Sequence, residues 1–109
     1  MPIPQPLDVT FAPEAKSEML AFLGRVNDYP PTLTLMKGRV RGDSEDRWTY
    51  GAYAPKNIEA IAPQLQEHGY PLLYTIEELT VAIPQPQFIS ELIGKELALG
   101  PRALIVRER

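Results

Sequence analysis

The sequence predicts an α+β fold: a mixed or antiparallel β-sandwich-like sheet with two or three helices, in one domain. Three observations lead there. Stretches in which apolar and polar residues alternate give way repeatedly to stretches with apolar residues three and four apart, the periods of strand and helix. Twelve prolines among 109 residues fall between these stretches and punctuate them. The chain is 44% apolar and 23% charged, which at this length supplies one hydrophobic core and leaves no room for a second domain.

Prolines at positions 2, 4 and 6 fix φ and withhold backbone donors, so residues 1–6 read as an extended arm and residues 7–109 as the domain. Leu7, Val9 and Phe11 alternate with Asp8 and Thr10, a short half-buried strand. Pro13 suits a first helical position and Glu14 and Glu18 suit the positive end of the helix dipole. Ala15, Met19, Phe22 and Leu23 then share one face, so a helix runs from Pro13 to Leu23 and stops at Gly24. Asn27, Asp28, Pro30 and Pro31 form the following loop.

Thr32 to Arg41 is the clearest strand, and Arg47 to Ala54 returns beside it as a β-hairpin. Trp48, Tyr50 and Ala52 face one side and Tyr53 the other. Leu33 and Leu35 share a face with Lys37, Arg39 and Arg41, while Met36 and Val40 lie opposite. One core cannot bury both sets unless the strand passes an edge or bulges, and Gly38 is the expected bulge. Asn57 is placed as N-cap of a helix over 57–68 with Ile58, Ile61 and Leu65 inward, and Pro63 is a point at which that helix can break. Strands at Leu72–Ile76 and Leu79–Ile83 flank a Glu77-Glu78 turn. A short helix begins near Pro86 and ends at Gly94, and a closing hairpin, 96–99 with 102–106, turns at Gly100-Pro101.

Composition excludes several functions. Without cysteine there is no disulfide, thiolate metal site or thiol nucleophile. A net charge of −3 disfavours non-specific contact with nucleic acid or anionic lipid. The first residues lack a basic start and an apolar run of signal-peptide type, and no stretch reaches the ~20 apolar residues of a membrane span. The expected location is cytoplasmic.

No catalytic constellation stands out, so the chain reads as a non-enzyme. His68, the one histidine, falls beside Gly69 at a helix end, where capping explains it. Ser44 lacks the G-x-S-x-G context of a nucleophile and sits in a turn. Asp43, Glu45 and Asp46 lack the spacing of a calcium loop and read as a solvated hairpin tip. Glu77 and Glu78 are adjacent and cannot share a proton as a catalytic pair. Gly38 and Gly42 flank arginines without a phosphate-loop spacing. No metal or cofactor is expected. The one retained constellation is a basic row, Lys37, Arg39 and Arg41 with Arg47 on the paired strand, extended by Trp48 and Tyr53 into a contact surface. Its partner is a protein with an acidic surface or, alternatively, an anion or RNA; charges that keep a solvent-facing hairpin from aggregating explain the same row.

The order of pieces resembles the A-type iron–sulfur carrier family, the HesB, IscA and SufA group. Thr10-Phe-Ala-Pro-Glu-Ala15 is similar to the family's T-P-E-A phrase, and Leu33 to Val40 and Trp48 to Tyr53 to its first strand pair. Leu79-Thr-Val-Ala-Ile-Pro84, Phe88 to Leu92, and Ile93-Gly-Lys-Glu-Leu97 resemble its later strand, short helix and L-x-G-x-x-L phrase, and Ala103 to Val106 its last strand. The resemblance implies the carrier fold. Members hold metal or cluster through one cysteine after the second strand and a C-G-C pair near the C-terminus. Arg41-Gly-Asp-Ser-Glu-Asp-Arg47 occupies the first place and the chain stops at Arg109 before the second, so no ligand carries over. The expectation is a cysteine-less member that acts through protein contacts, in sulfur or iron–sulfur metabolism.

Overall fold

The computed structural model describes residues 4–25, 32–39, 42, 44–101 and 103–109. It is α+β, with two mixed sheets, two α-helices and a 3-10 helix. The strands are β1 (Gln5–Pro6), β2 (Val9–Phe11), β3 (Thr32–Arg39), β4 (Asp46–Tyr53), β5 (Tyr74–Ile76), β6 (Leu79–Ala82), β7 (Lys95–Leu99) and β8 (Leu104–Glu108). The helices are α1 (Pro13–Arg25) and α2 (Pro55–Glu67), with the 3-10 helix at Pro86–Glu91. Five strands pair in the order β1-β5-β6-β3-β4 and three in the order β2-β7-β8. No helix among the described residues is long and apolar enough to cross a membrane.

One face of the larger sheet makes the core. Cross-strand register puts Tyr74, Val81, Leu33 and Ala52 in one row and Leu35 beside Tyr50 in the next. Leu33, Leu35, Ile76 and Val81 are fully buried there with Met19 of α1 and Leu97 of β7. Removal of such side chains from water is the main force holding the two sheets and α1 together. The opposite face carries Thr34, Ala82, Met36 and Tyr53; Thr34 and Ala82 are as deeply buried as the core, and α2, which follows β4 directly, lies against it.

The extended arm is paired with β5 in its described part. Gln5 and Leu7 donate their N–H groups to the Leu73 and Thr75 carbonyls at 3.1 and 3.0 Å. Because amide direction alternates along a strand, Pro4 and Pro6 take the positions whose nitrogens face away from β5. Proline there forfeits no ladder bond and offers no donor to an incoming strand.

Other expectations shift for local reasons. The β3–β4 register runs unbroken from Thr32↔Tyr53 to Arg39↔Asp46, so Gly38 makes no bulge. The strand instead passes out of the core, from buried Leu33–Leu35 to exposed Arg39. Gly24 lies inside α1, which continues to Arg25. Asn57 is the third residue of α2 rather than its cap: Ala54 is the cap, Pro55 opens the helix, and the Asn57 Oδ1 accepts the Ala54 N–H at 3.1 Å. Pro63 does not break α2, since it and Glu59, whose carbonyl loses its partner, both face water. The last helix is 3-10 rather than α. Glu77 and Glu78 form the expected turn with φ of 44° and 77°, the left-handed pair that a two-residue hairpin requires. The Glu77 Oε2 accepts the Phe11 N–H at 2.9 Å, which joins the two sheets and closes an open amide of β2. The loop at Asn27–Pro31, Val40 and Asp43 lie outside the described residues.

Candidate functional site

The residues proposed from sequence converge only in part. Lys37 and Trp48 are directly paired across the hairpin and share a face with Arg39, whereas Arg47 pairs with Gly38 and therefore lies on the other face, with Met36. Tyr53 lies on that other face too, and its hydroxyl rests 3.7 Å from the Met36 Sδ. Arg41 falls outside the described residues. Two opposed faces thus replace a single basic row with an aromatic border.

The Lys37 face is occupied by the protein itself. Its ammonium donates to both carboxylate oxygens of Glu91, at 2.6 and 2.8 Å, and sits 5.0 Å from the centre of the Phe88 ring. The Trp48 Nε1 donates to the same carboxylate at 3.3 Å, and the indole is 4% exposed, so Trp48 is core rather than contact surface. The main chain of Lys37 is engaged as well. The Gln85 side chain accepts its N–H at 2.7 Å and donates to its carbonyl at 2.9 Å. β6 pairs with β3 only at Leu33 and Thr34; beyond that point the Gln85 amide stands in for the missing strand. Arg39 lies 3.2 Å from Asp46 across the hairpin, both exposed. Lys37 and Arg39 each already face a carboxylate, which leaves an incoming anion little net charge.

A second polar cluster joins α1 to β4. Glu18 accepts from Arg25 at 2.7 Å and from the Tyr50 hydroxyl at 3.3 Å, and Phe22 meets the Tyr50 ring edge-on with centroids 5.2 Å apart. The Arg25 hydrogen bond lowers the pKa of Glu18, while burial, and then the Glu18 charge, raises that of Tyr50. Burial likewise raises the pKa of Tyr74.

Concavities border both regions of the described residues. A cleft of about 210 Å³ runs between Thr49 and Tyr50 of β4 and the β7–β8 turn. Gly100 is required there, because a Cβ would lie 2.6 Å from the Ala103 carbonyl oxygen. The larger groove, about 310 Å³, separates the end of α2 from the Pro84–Gln87 segment. Leu65 and Pro86, both buried, border it from the two sides, and His68 and Tyr70 stand at its exposed rim. His68 is the C-terminal cap of α2 and Gly69 follows at φ 78°, as expected from sequence. Its place beside a groove was not legible, because the Pro-Gln-Pro-Gln phrase that makes the far wall carries no chemical signature. Gln85 and Glu91 were missed for the same reason: single polar residues in a proline-bounded segment announce no partner.

Among the described residues no three His, Asp or Glu side chains gather as metal ligands, and no buried side-chain donor or acceptor lacks a partner. No protein-family model matches the chain, and no curated protein is significantly similar to it.

Proposed function

We propose that the protein is a cysteine-less relative of the A-type iron–sulfur carriers, of the kind represented by DsrR of sulfur-oxidising bacteria. On this reading it is a cytoplasmic, non-catalytic protein that has kept the carrier scaffold and works through protein contacts in sulfur or iron–sulfur metabolism. The observation that carries the proposal is the whole-chain order of motifs, read together with the absence of cysteine from all 109 residues. The α+β arrangement of two mixed sheets is compatible with it. The residues present do not fit an iron–sulfur cluster: there is no thiolate, and among the described residues no group of carboxylates and imidazole converges. Anaerobic incubation with ferrous iron and sulfide, followed by desalting, absorbance and iron analysis, tests the proposal. The protein should emerge colourless and iron-free; a stoichiometric, chain-bound cluster would overturn the reading.

A further inference from the structure

We propose that the groove between α2 and the Pro84–Gln87 segment binds a neutral, proline-rich extended peptide, which would be the contact through which the scaffold acts; this rests on the protein-contact reading above. Four features of the groove select that occupant. Among the described residues no carboxylate, ammonium or guanidinium lines it, so a segment rich in charge is desolvated there with little return. Tyr70 is 39% exposed and stands outside the core, beside Pro84 and buried Pro86; aromatic and proline surfaces of this kind receive the flat faces of prolines. Gln64 and Gln87, on opposite walls, join His68 and the Tyr70 hydroxyl in giving the rim hydrogen-bonding groups. A polyproline II strand suits them because its carbonyls are all unpaired and it gives up little conformational freedom on binding. Gln85, one residue from Pro84 and Pro86, already pairs its amide with both main-chain groups of Lys37, which shows how a glutamine of this segment grips extended backbone.

The test is titration of the ¹⁵N-labelled full chain with decaproline and, separately, with a Gly-Ser decamer. Saturable amide shifts confined to residues 64–70, Gln85 and Gln87 with decaproline, and none with the Gly-Ser peptide, support the site. Tyr70→Ala should weaken binding at least about tenfold, the effect of losing an interface anchor, while Tyr70→Phe retains most of it. Should Tyr70→Ala unfold, Gln64→Glu with Gln87→Glu puts charge into the groove and should weaken binding comparably in a folded protein. Absence of shifts at millimolar decaproline, equal response to both peptides, or shifts mapping elsewhere would each overturn the proposal. So would shifts at the groove driven by protein concentration alone, which would assign it to a second copy. The cluster experiment is independent: a colourless protein with an unresponsive groove retains the proposed function and loses only this site.

Discussion

The β3–β4 hairpin and the groove beside α2 invert each other. The hairpin is rich in charge, yet Lys37 and Arg39 are held by Glu91 and Asp46, and Gln85 occupies the main chain of Lys37. Among the described residues the groove is lined by no carboxylate, ammonium or guanidinium, but it keeps an exposed tyrosine and two glutamines at its rim. Conspicuous charge in a sequence can be consumed by the fold, while neutral polar groups on unrelated segments come together at a surface. Binding is to be sought where polar groups remain turned outward.

That contrast predicts a graded series. Trp48→Ala removes a buried indole and one of the donors to Glu91, so it should cost about 3–5 kcal/mol in urea denaturation followed by circular dichroism. A loss below about 1 kcal/mol would return Trp48 to the surface and break the comparison. Gln85→Ala leaves both main-chain groups of Lys37 without partners and should cost about 1–3 kcal/mol, with faster hydrogen exchange at the Lys37 amide. On the groove side, Tyr70→Ala should change stability by less than about 1 kcal/mol, because its ring is exposed and outside the core.

The α1–β4 cluster adds a pH signature. Glu18 has a depressed pKa in the folded state, so its contribution is present above the unfolded carboxylate value and disappears as pH falls through the folded one. Tyr50 has a raised pKa; its contribution is complete below the ordinary phenol value and is lost as pH rises through the folded one. Stability should therefore decline at both extremes. Glu18→Gln should flatten the acid limb and Tyr50→Phe should reduce the alkaline one, Tyr74 retaining part of it. The smallest effect belongs to Arg39→Ala, whose ion pair is solvated on both sides; the change should be within about 0.5 kcal/mol.

The sequence was most readable where a period or a turn residue acts locally. The β3–β4 hairpin, the Glu77-Glu78 turn and the inward face of α1 follow from alternation, two-residue loop chemistry and helical spacing. It was least readable where a distant segment decides the outcome. Nothing near Gly38 reveals that β3 leaves the core rather than bulging, and nothing near Gln85 reveals that it pairs with Lys37, 48 positions away. Asn57 was correctly seen as a helix-start residue but misplaced by three positions, because an amide side chain can serve either as cap or as third residue. The prolines at 4 and 6 announce an extended segment, but only its partner β5 turns that segment into the edge of a sheet.

The same pairings order events during folding. β1 joins β5, β2 joins β7, and Asp8 is bonded to Arg109 at 2.6 Å, so the N-terminal strands close on partners far along the chain. Such long loops form slowly, and the local β3–β4 hairpin precedes them. Until β5 is in place, Pro4 and Pro6 offer no N–H donor to a competing strand edge.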